Sequence, residues 1–178
     1  NLFSPPKTKP GPKRKNNFFL IVSRLEPQKR IDLVIKVFND LGWPLIIVGS
    51  GSWEKKLKRL AQNNISLLGY LPDKKLVKYY QNARAVIFPQ EEDFGLVALE
   101  AQACQTPVIA YRAGGATETI KNNLTGCFFT PQTASALKKT LLNWSENDYN
   151  RKNCRSWVKK FSQERFVSSW QKLISNLC

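Results

Sequence analysis

The fold of this protein is decided by one stretch of sequence, FFLIVSRLEPQKRIDLVIKVFNDLGWPLIIVG, residues 18–49. It opens with a short apolar run and closes with a second, PLIIVG, and both have the length of buried β-strands. Between them apolar residues recur at the spacing of one helix face, and Gly42 can end that helix. These residues are Ile31, Val34, Ile35, Phe38 and Leu41. The stretch therefore predicts a strand–helix–strand unit.

The same alternation continues to residue 145. Each of four further apolar runs precedes a helical pattern, and these runs occupy residues 65–68, 84–89, 107–110 and 126–129. The runs are mainly apolar and do not alternate with polar residues, which is typical of strands covered by helices on both faces. We therefore predict an α/β fold with a doubly wound, mainly parallel sheet of about six strands. Ser52 is predicted to cap the helix that follows the second strand.

The two ends of the chain differ from its middle. Residues 1–17 are rich in Pro and Lys and are interpreted as a linker, followed by the α/β domain at 18–145. Residues 146–178 show helical patterns without a clear strand, so they are predicted to form C-terminal helices that pack on this domain or on a missing N-terminal domain. Because the sequence lacks Met altogether, we interpret it as part of a longer protein.

The charge is strongly positive, with a formal net charge of +15, and the excess lies in residues 7–15 and 151–172. Such clusters serve nucleic acid, anionic lipid or phosphorylated ligands, or simply form a solvated surface. Nucleic acid is disfavoured because no reader motif or aromatic platform accompanies the charge. An anionic membrane surface stays open, because aromatic residues accompany the second cluster, although they can equally pack against protein. These aromatics are Trp157, Phe161, Phe166 and Trp170.

The cysteines and the lack of histidine bear on cofactors and location. There is no His and no Cys-x-x-Cys pair, so neither a metal site nor a metal cofactor is expected. Irregularly spaced thiols are typical of a reducing compartment, so we expect a cytoplasmic protein. It is expected either free in the cytoplasm or peripheral to the inner face of the membrane. The thiols are those of Cys104, Cys127, Cys154 and Cys178.

Ligands of open α/β sheets bind beyond the carboxyl ends of the strands, so the loops that follow the strands are the candidate sites. The first loop carries Arg24 and Lys29, which can hold one anion such as a diphosphate, although two loop cations are often only solvated. The second, residues 49–54, has glycines that allow close backbone approach, as an ordinary turn also would. It lacks the third glycine of the dinucleotide fingerprint, which disfavours a nicotinamide cofactor.

The most informative loop lies in PQEEDFGLVALEAQACQTPVIAYRAGGATETI, residues 89–120. Glu92 precedes a Phe94-Gly95 turn into a helix, and Glu100 follows eight residues after Glu92. Acids near a helix start often only complement the helix dipole, and a mid-helix Glu can face solvent. The neighbours of Glu100 are apolar, however, so a charged side chain there predicts a buried partner. Carboxylates are also natural acceptors for sugar hydroxyls.

These motifs together resemble glycosyltransferase family four, retaining enzymes of the GT-B fold. The resemblance rests on E-x7-E from Glu92 to Glu100, followed by A-x-A-x-x-x-P-V-I-A and A-G-G-x-x-E. The S-R-x-x-x-x-K of residues 23–29 and the V-G-S-G of residues 48–51 match the donor domain of that family in the same order. The sequence departs from the family at Asp93, where Gly is usual.

The resemblance implies that the chain is the donor-binding half of a retaining hexosyltransferase. It would take a nucleoside-diphosphate sugar of the UDP or GDP type, and would be inactive without an N-terminal domain that holds a hydroxyl acceptor. The alternative is a non-catalytic nucleotide-binding module. By resemblance, Arg24 and Lys29 hold the diphosphate and Glu92 lies at the transferred sugar, so these three are the candidate catalytic residues. Substrate binding is assigned to Glu100 at the ribose and to Phe94, Gly95, Leu96 and Gly49.

Overall fold

The computed structural model describes residues 2–6 and 17–175. The basic cluster at 7–15, most of the expected linker and Cys178 lie outside the described residues. The described residues contain a single sheet of six parallel strands in the order β3-β2-β1-β4-β5-β6. The strands are β1 (Phe19–Val22), β2 (Leu45–Val48), β3 (Ile65–Leu67), β4 (Val86–Phe88), β5 (Val108–Tyr111) and β6 (Gly126–Phe129). The predicted α/β fold is confirmed, and each strand lies within or beside its predicted apolar run.

Helices connect and cover these strands. Within residues 2–6 and 17–175, three short 3-10 helices accompany the α-helices, at Pro27–Lys29, Glu146–Asp148 and Lys159–Phe161. The α-helices of the described residues are α1 (Ile31–Leu41), α2 (Glu54–Leu60), α3 (Asp73–Asn82), α4 (Leu96–Ala103), α5 (Ala116–Thr119), α6 (Ala134–Asn143), α7 (Arg151–Val158) and α8 (Gln163–Ser175).

The sheet has a separate hydrophobic core on each face. Phe19 and Ile21 of β1 point into a core that includes residues of α1 and α6. Leu20, between them, points into the other core, which includes residues of α3 and α4. Because successive side chains of a strand point to opposite faces, both sets must be apolar. This is why the strands appear in the sequence as continuous apolar runs.

The loops after β1 and β2 are tied together by a contact that the sequence did not predict. Ser52 does not cap α2, which begins at Glu54 without a side-chain cap. Its hydroxyl and amide instead donate to the two carboxylate oxygens of Glu26, at 2.5 and 2.9 Å. The capping prediction was wrong because a carboxylate from the neighbouring loop is an alternative partner for the hydroxyl. The contact fixes the second loop against the first.

The order of the strands reverses between β1 and β4. The chain winds outward from β1 to β3, returns to place β4 on the other side of β1, and then winds outward to β6. Leu20 of β1 pairs with Val86 of β4 at this junction. The crevice at the carboxyl ends of two such strands is the usual ligand site of open α/β sheets.

The C-terminal helices differ in how they pack. α7 is anchored by Arg151, whose guanidinium donates to the backbone carbonyls of Ala83 and Arg84, and by Cys154, which is fully buried. In α8, by contrast, every side chain is exposed, including stacked Phe166 and Trp170. No helix among residues 2–6 and 17–175 is long and apolar enough to span a membrane. The boundaries at 17/18 and 145/146 stay predictions.

Candidate functional site

Glycines let the loops at the carboxyl ends of the strands approach closely. Gly49 has φ 140°, and a Cβ atom built there would lie 1.8 Å from the carbonyl oxygen of Ser23. A Cβ on Gly51 would lie 2.5 Å from the carbonyl oxygen of Leu25. Only glycine allows such contacts, so the pair brings the loops after β1 and β2 together.

An ion pair crosses the crevice between the β1 and β4 loops. Lys29, at the end of the first 3-10 helix, is only 7% exposed, and its Nζ atom pairs with Oε1 of Glu92. The amide of Gln90 also donates to Oε1 of Glu92, at 3.4 Å. A nearly buried cation is normally paired because desolvation without a partner is costly. The structure thus joins two of the predicted catalytic residues directly.

Arg24 lies in the same loop as Lys29 but in a different environment. Its side chain is exposed, whereas Lys29 is nearly buried. Hydrogen bonds from Ser52 lower the pKa of the nearby Glu26 carboxyl, and the charge of Arg24 lowers it further. The loop therefore offers one sequestered cation and one exposed cation.

The β4 loop is seated on the turn that follows β5. The amide of Gly115 donates to the carbonyl oxygen of Glu92 at 2.8 Å, and a Cβ on Gly114 would lie 2.3 Å from that same oxygen. Residues of the A-G-G motif thus support the backbone of Glu92 by close packing. This support is a physical reason for glycines at this position.

The start of α4 is open to solvent. Gly95 occupies its N-cap position with φ 81°, a conformation that favours glycine. Leu96 is 65% exposed and Phe94 is 43% exposed. The ring of Phe94 contacts that of Phe161 edge-on, with centroids 6.1 Å apart. The predicted substrate-binding residues 94–96 are therefore accessible beside the crevice.

Glu100 lies farther along α4 and has a different partner. The hydroxyl of Tyr80, a fully buried residue of α3, donates to Oε2 of Glu100 at 2.8 Å. This is the buried partner that the apolar neighbours of Glu100 predict. Burial raises the pKa of the Glu100 carboxyl, the hydrogen bond from Tyr80 opposes that rise, and the charge of Asp73 adds to it. Asp73 begins α3, so Glu100 faces the helix that follows the β3 loop.

Tyr80 is a partner of Glu100 that the sequence alone did not identify. Leu76, Val77 and Tyr80 recur at helical spacing and are buried together, so the pattern indicates only a core face. The signal that could have found Tyr80 is the charged Glu100 within an apolar helix, which requires a donor from a packed neighbour.

The described residues contain no candidate site for metal binding or for thiol chemistry. Residues 2–6 and 17–175 contain no group of three or more His, Cys, Asp or Glu that could hold a metal ion. Cys104, Cys127 and Cys154 are free thiols. Burial raises the pKa of Cys104 and of Cys154 to about 12, so both remain protonated and unreactive at neutral pH.

Comparison with known proteins identifies the family. Residues 6–161 match the family described as glycosyl transferases group 1. An uncharacterized glycosyltransferase of Methanocaldococcus jannaschii is 31% identical over 170 residues, which are 90% of this chain and 48% of that protein. The chain thus spans about half the length of this curated relative.

Two solved structures share the fold. A sucrose-phosphate synthase from Thermosynechococcus elongatus matches with a TM-score of 0.81 and 26% identity, covering 99% of this chain and 50% of that one. HepE of Anabaena, crystallised with UDP and glucose, matches with a TM-score of 0.72 and 23% identity, covering 91% and 48%. The latter similarity supports the fold alone. The chain belongs to the group 1 glycosyl transferases and has the fold of one half of a GT-B enzyme.

Proposed function

We propose that this chain is the donor-binding half of a retaining hexosyltransferase that uses a nucleoside-diphosphate sugar of the UDP or GDP type. The observation that carries the proposal is the Lys29–Glu92 ion pair, which lies at the carboxyl ends of β1 and β4. A sequestered cation and a carboxylate at this crevice match the two parts of such a donor, its diphosphate and its sugar hydroxyls. HepE, which shares the fold, was crystallised with UDP and glucose, so this fold can hold both parts of such a donor.

Lys29 and Arg24 would bind the diphosphate. Glu92 pairs with Lys29, and a diphosphate would replace that carboxylate as the partner of the nearly buried ammonium. Arg24, exposed at the same loop, would close on the phosphates from the solvent side with its planar fork. Both cations would stabilise the charge that develops on the departing diphosphate.

Glu92 and the start of α4 would receive the sugar. Once Lys29 turns to the diphosphate, the carboxylate of Glu92 is free to accept hydrogen bonds from sugar hydroxyls. Phe94, Gly95 and Leu96 lie at the N-terminus of α4, where amide donors and the helix dipole favour a phosphate or a sugar oxygen.

Gly49 would act through shape. Its amide is already bonded to the carbonyl oxygen of Gly69, at 2.8 Å, so it is not a free donor. Its lack of a side chain allows the loops after β1 and β2 to meet. We therefore assign Gly49 the role of letting the diphosphate loop close tightly.

Glu100 would bind the ribose. It faces the start of α3 near Asp73, and the preceding loop exposes Tyr70, with 73% of its surface accessible. A nucleotide placed along this edge would have its ribose at Glu100 and its base near the β3 loop. The sugar hydroxyls of the ribose would donate to the Glu100 carboxylate.

We propose that a second domain holds the acceptor; the matched part of this chain is about half the length of its relative, which supports such an arrangement. We therefore propose that this chain alone is inactive. The other reading, a non-catalytic nucleotide-binding module, predicts that Glu92 is dispensable. Turnover by the assembled two-domain protein separates them: Glu92→Ala should abolish transfer, whereas Glu54→Ala, which removes a surface pair with Lys58, should not. Unchanged turnover in Glu92→Ala favours the module.

We further propose a cytoplasmic location with reversible binding to an anionic membrane surface. The free thiols of Cys104, Cys127 and Cys154 support the location. The support for membrane binding is α8, where Phe166 and Trp170 are 69% and 56% exposed beside basic residues. Sedimentation with neutral and anionic vesicles at low and high salt tests it. Equal recovery in the supernatant under all conditions contradicts it.

A further inference from the structure

We propose that Tyr80 is a positioning residue for the nucleotide: its hydroxyl holds one oxygen of Glu100 and leaves the other oxygen for a ribose hydroxyl. The proposal rests on the proposed function, because it deepens the role of Glu100. It assigns a task to a side chain that no motif in the sequence marks.

Tyr80 is held firmly enough to orient a neighbour. Its side chain has no exposed surface, and its ring packs edge-on against Phe3 with centroids 5.8 Å apart. Its backbone carbonyl accepts a hydrogen bond from the hydroxyl of Thr106 at 2.5 Å. Because both ends of the residue are fixed, the phenolic hydroxyl meets Oε2 of Glu100 from one direction.

Glu100 depends on this contact. Among residues 2–6 and 17–175, the one side-chain hydrogen bond to Glu100 is the one from Tyr80, and it goes to Oε2. A carboxylate has about four acceptor positions, so one donor leaves most of its capacity unused. Glu100 is only partly buried, which leaves room for a ligand to reach the remaining positions.

The chemistry of the pair suits recognition of hydroxyl groups. Burial and the nearby Glu100 charge raise the pKa of Tyr80 well above its usual value, so its hydroxyl remains a donor at neutral pH. Burial raises the pKa of Glu100, and the hydrogen bond from Tyr80 opposes that rise. The phenol therefore favours the ionised form of the carboxyl group. A Lys or Arg partner would neutralise the carboxylate. A neutral phenol orients Glu100 and preserves its charge for a ribose hydroxyl.

The test combines Tyr80→Phe with removal of a ribose hydroxyl from the ligand. Calorimetry on this chain would compare UDP and GDP with their 2′-deoxy and 3′-deoxy forms. The unchanged protein should prefer a ribonucleotide to at least one of its deoxy forms. Tyr80→Phe should reduce that preference roughly tenfold, because one hydrogen bond to a charged group contributes about that factor to affinity. The affinity for the deoxy form should be unchanged.

Two further variants keep the test decisive. Tyr79→Phe is the matched control, because Tyr79 is adjacent on α3 and its ring contacts Phe18; it should leave the preference intact. Glu100→Gln should abolish the preference, and adding Tyr80→Phe should cause no further loss. The affinity of Tyr80→Phe should also decline at a higher pH than that of the unchanged protein as acid is added, because the pKa of Glu100 rises without its donor.

The possible failures are distinguishable. Equal weakening of ribonucleotides and deoxynucleotides in Tyr80→Phe would show that Tyr80 only supports the fold, and would overturn the proposal. An unchanged preference in Tyr80→Phe would overturn it as well, while leaving the role of Glu100 intact. Absence of binding to any nucleoside diphosphate by the unchanged protein would overturn the proposed function and this inference together.

Discussion

Replacing Lys29 by Met tests whether this cation binds the diphosphate of the donor or only stabilises the fold. The change keeps much of the length of an apolar stem and removes the ammonium that pairs with Glu92. If Lys29 contributes a charge-assisted hydrogen bond to the diphosphate, its loss should cost about 1.5 to 3 kcal/mol of binding. That is a loss of affinity of roughly 10- to 150-fold for UDP or GDP.

Removing Lys29 and removing Glu92 should have different effects. Loss of Lys29 should mainly weaken nucleotide binding, whereas loss of Glu92 should mainly lower folding stability. The Lys29 side chain is 9% exposed and that of Glu92 is 32% exposed. Removing Lys29 leaves a carboxylate that water can reach, so the loss of folding stability should be about 1 kcal/mol or less. Glu92→Gln strands a nearly buried cation and should lower the free energy of unfolding by about 1.5 to 3 kcal/mol. It should not weaken binding of the nucleoside diphosphate, since it removes the group that competes with the phosphates for Lys29.

Calorimetric titration of the variants with UDP and GDP, beside urea unfolding, measures both quantities. Lys58→Met is the matched control, because this lysine pairs with Glu54 on the surface of α2; its affinity for nucleotide should be unchanged. Equal affinity in Lys29→Met and the unchanged protein would refute the assignment of Lys29. So would an equal loss of affinity in Lys29→Met and Glu92→Gln.

Four other outcomes are expected. Arg24→Ala should weaken UDP or GDP binding in the same titration, and more at low salt than at high salt because Arg24 is exposed. Gly49→Ala should cost at least about 3 kcal/mol in urea unfolding, since its Cβ would lie 1.8 Å from a carbonyl oxygen, whereas Gly69→Ala, with open space around it, should cost about 1 to 2 kcal/mol. Glu100→Gln should raise stability at neutral pH while weakening nucleotide binding: the raised pKa of Glu100 means that stability falls as pH rises above 4.5, and the variant should lack that fall. This chain alone should transfer no sugar from any donor to any acceptor, and detectable turnover would contradict the need for a second domain.

The sheet could be predicted from sequence because burial on both faces leaves little choice of side chain. Each strand is three or four residues long and, apart from the exposed Ser66 in the edge strand β3, consists of apolar residues, and the intervening helices show their periodicity. The end of α1 was equally readable, since Gly42 adopts φ 65° there. The hydrogen-bond partner of Ser52 could not be predicted, because Glu26 is 26 residues away in another loop. Local capping rules do not include such a competitor.

The candidate site was predictable residue by residue but not contact by contact. The loop positions of Arg24, Lys29 and Glu92 follow from the strand ends. Lys29 and Glu92 are 63 residues apart in the sequence, and their contact could be known only once β1 and β4 were seen to be neighbours in the sheet. The contact of Tyr80 could not be predicted, because its ring packs in the core while its hydroxyl donates to Glu100.

Binding of a nucleoside diphosphate to this chain can be measured by ligand-induced stabilisation. Urea unfolding would be followed with and without UDP, GDP and ADP, each over a series of concentrations. At 100 times its dissociation constant, a bound nucleotide should raise the free energy of unfolding by about 2.7 kcal/mol. We expect such a rise with UDP or GDP, and a much smaller one in Lys29→Met at the same nucleotide concentration. Identical unfolding curves with and without all three nucleotides would contradict it.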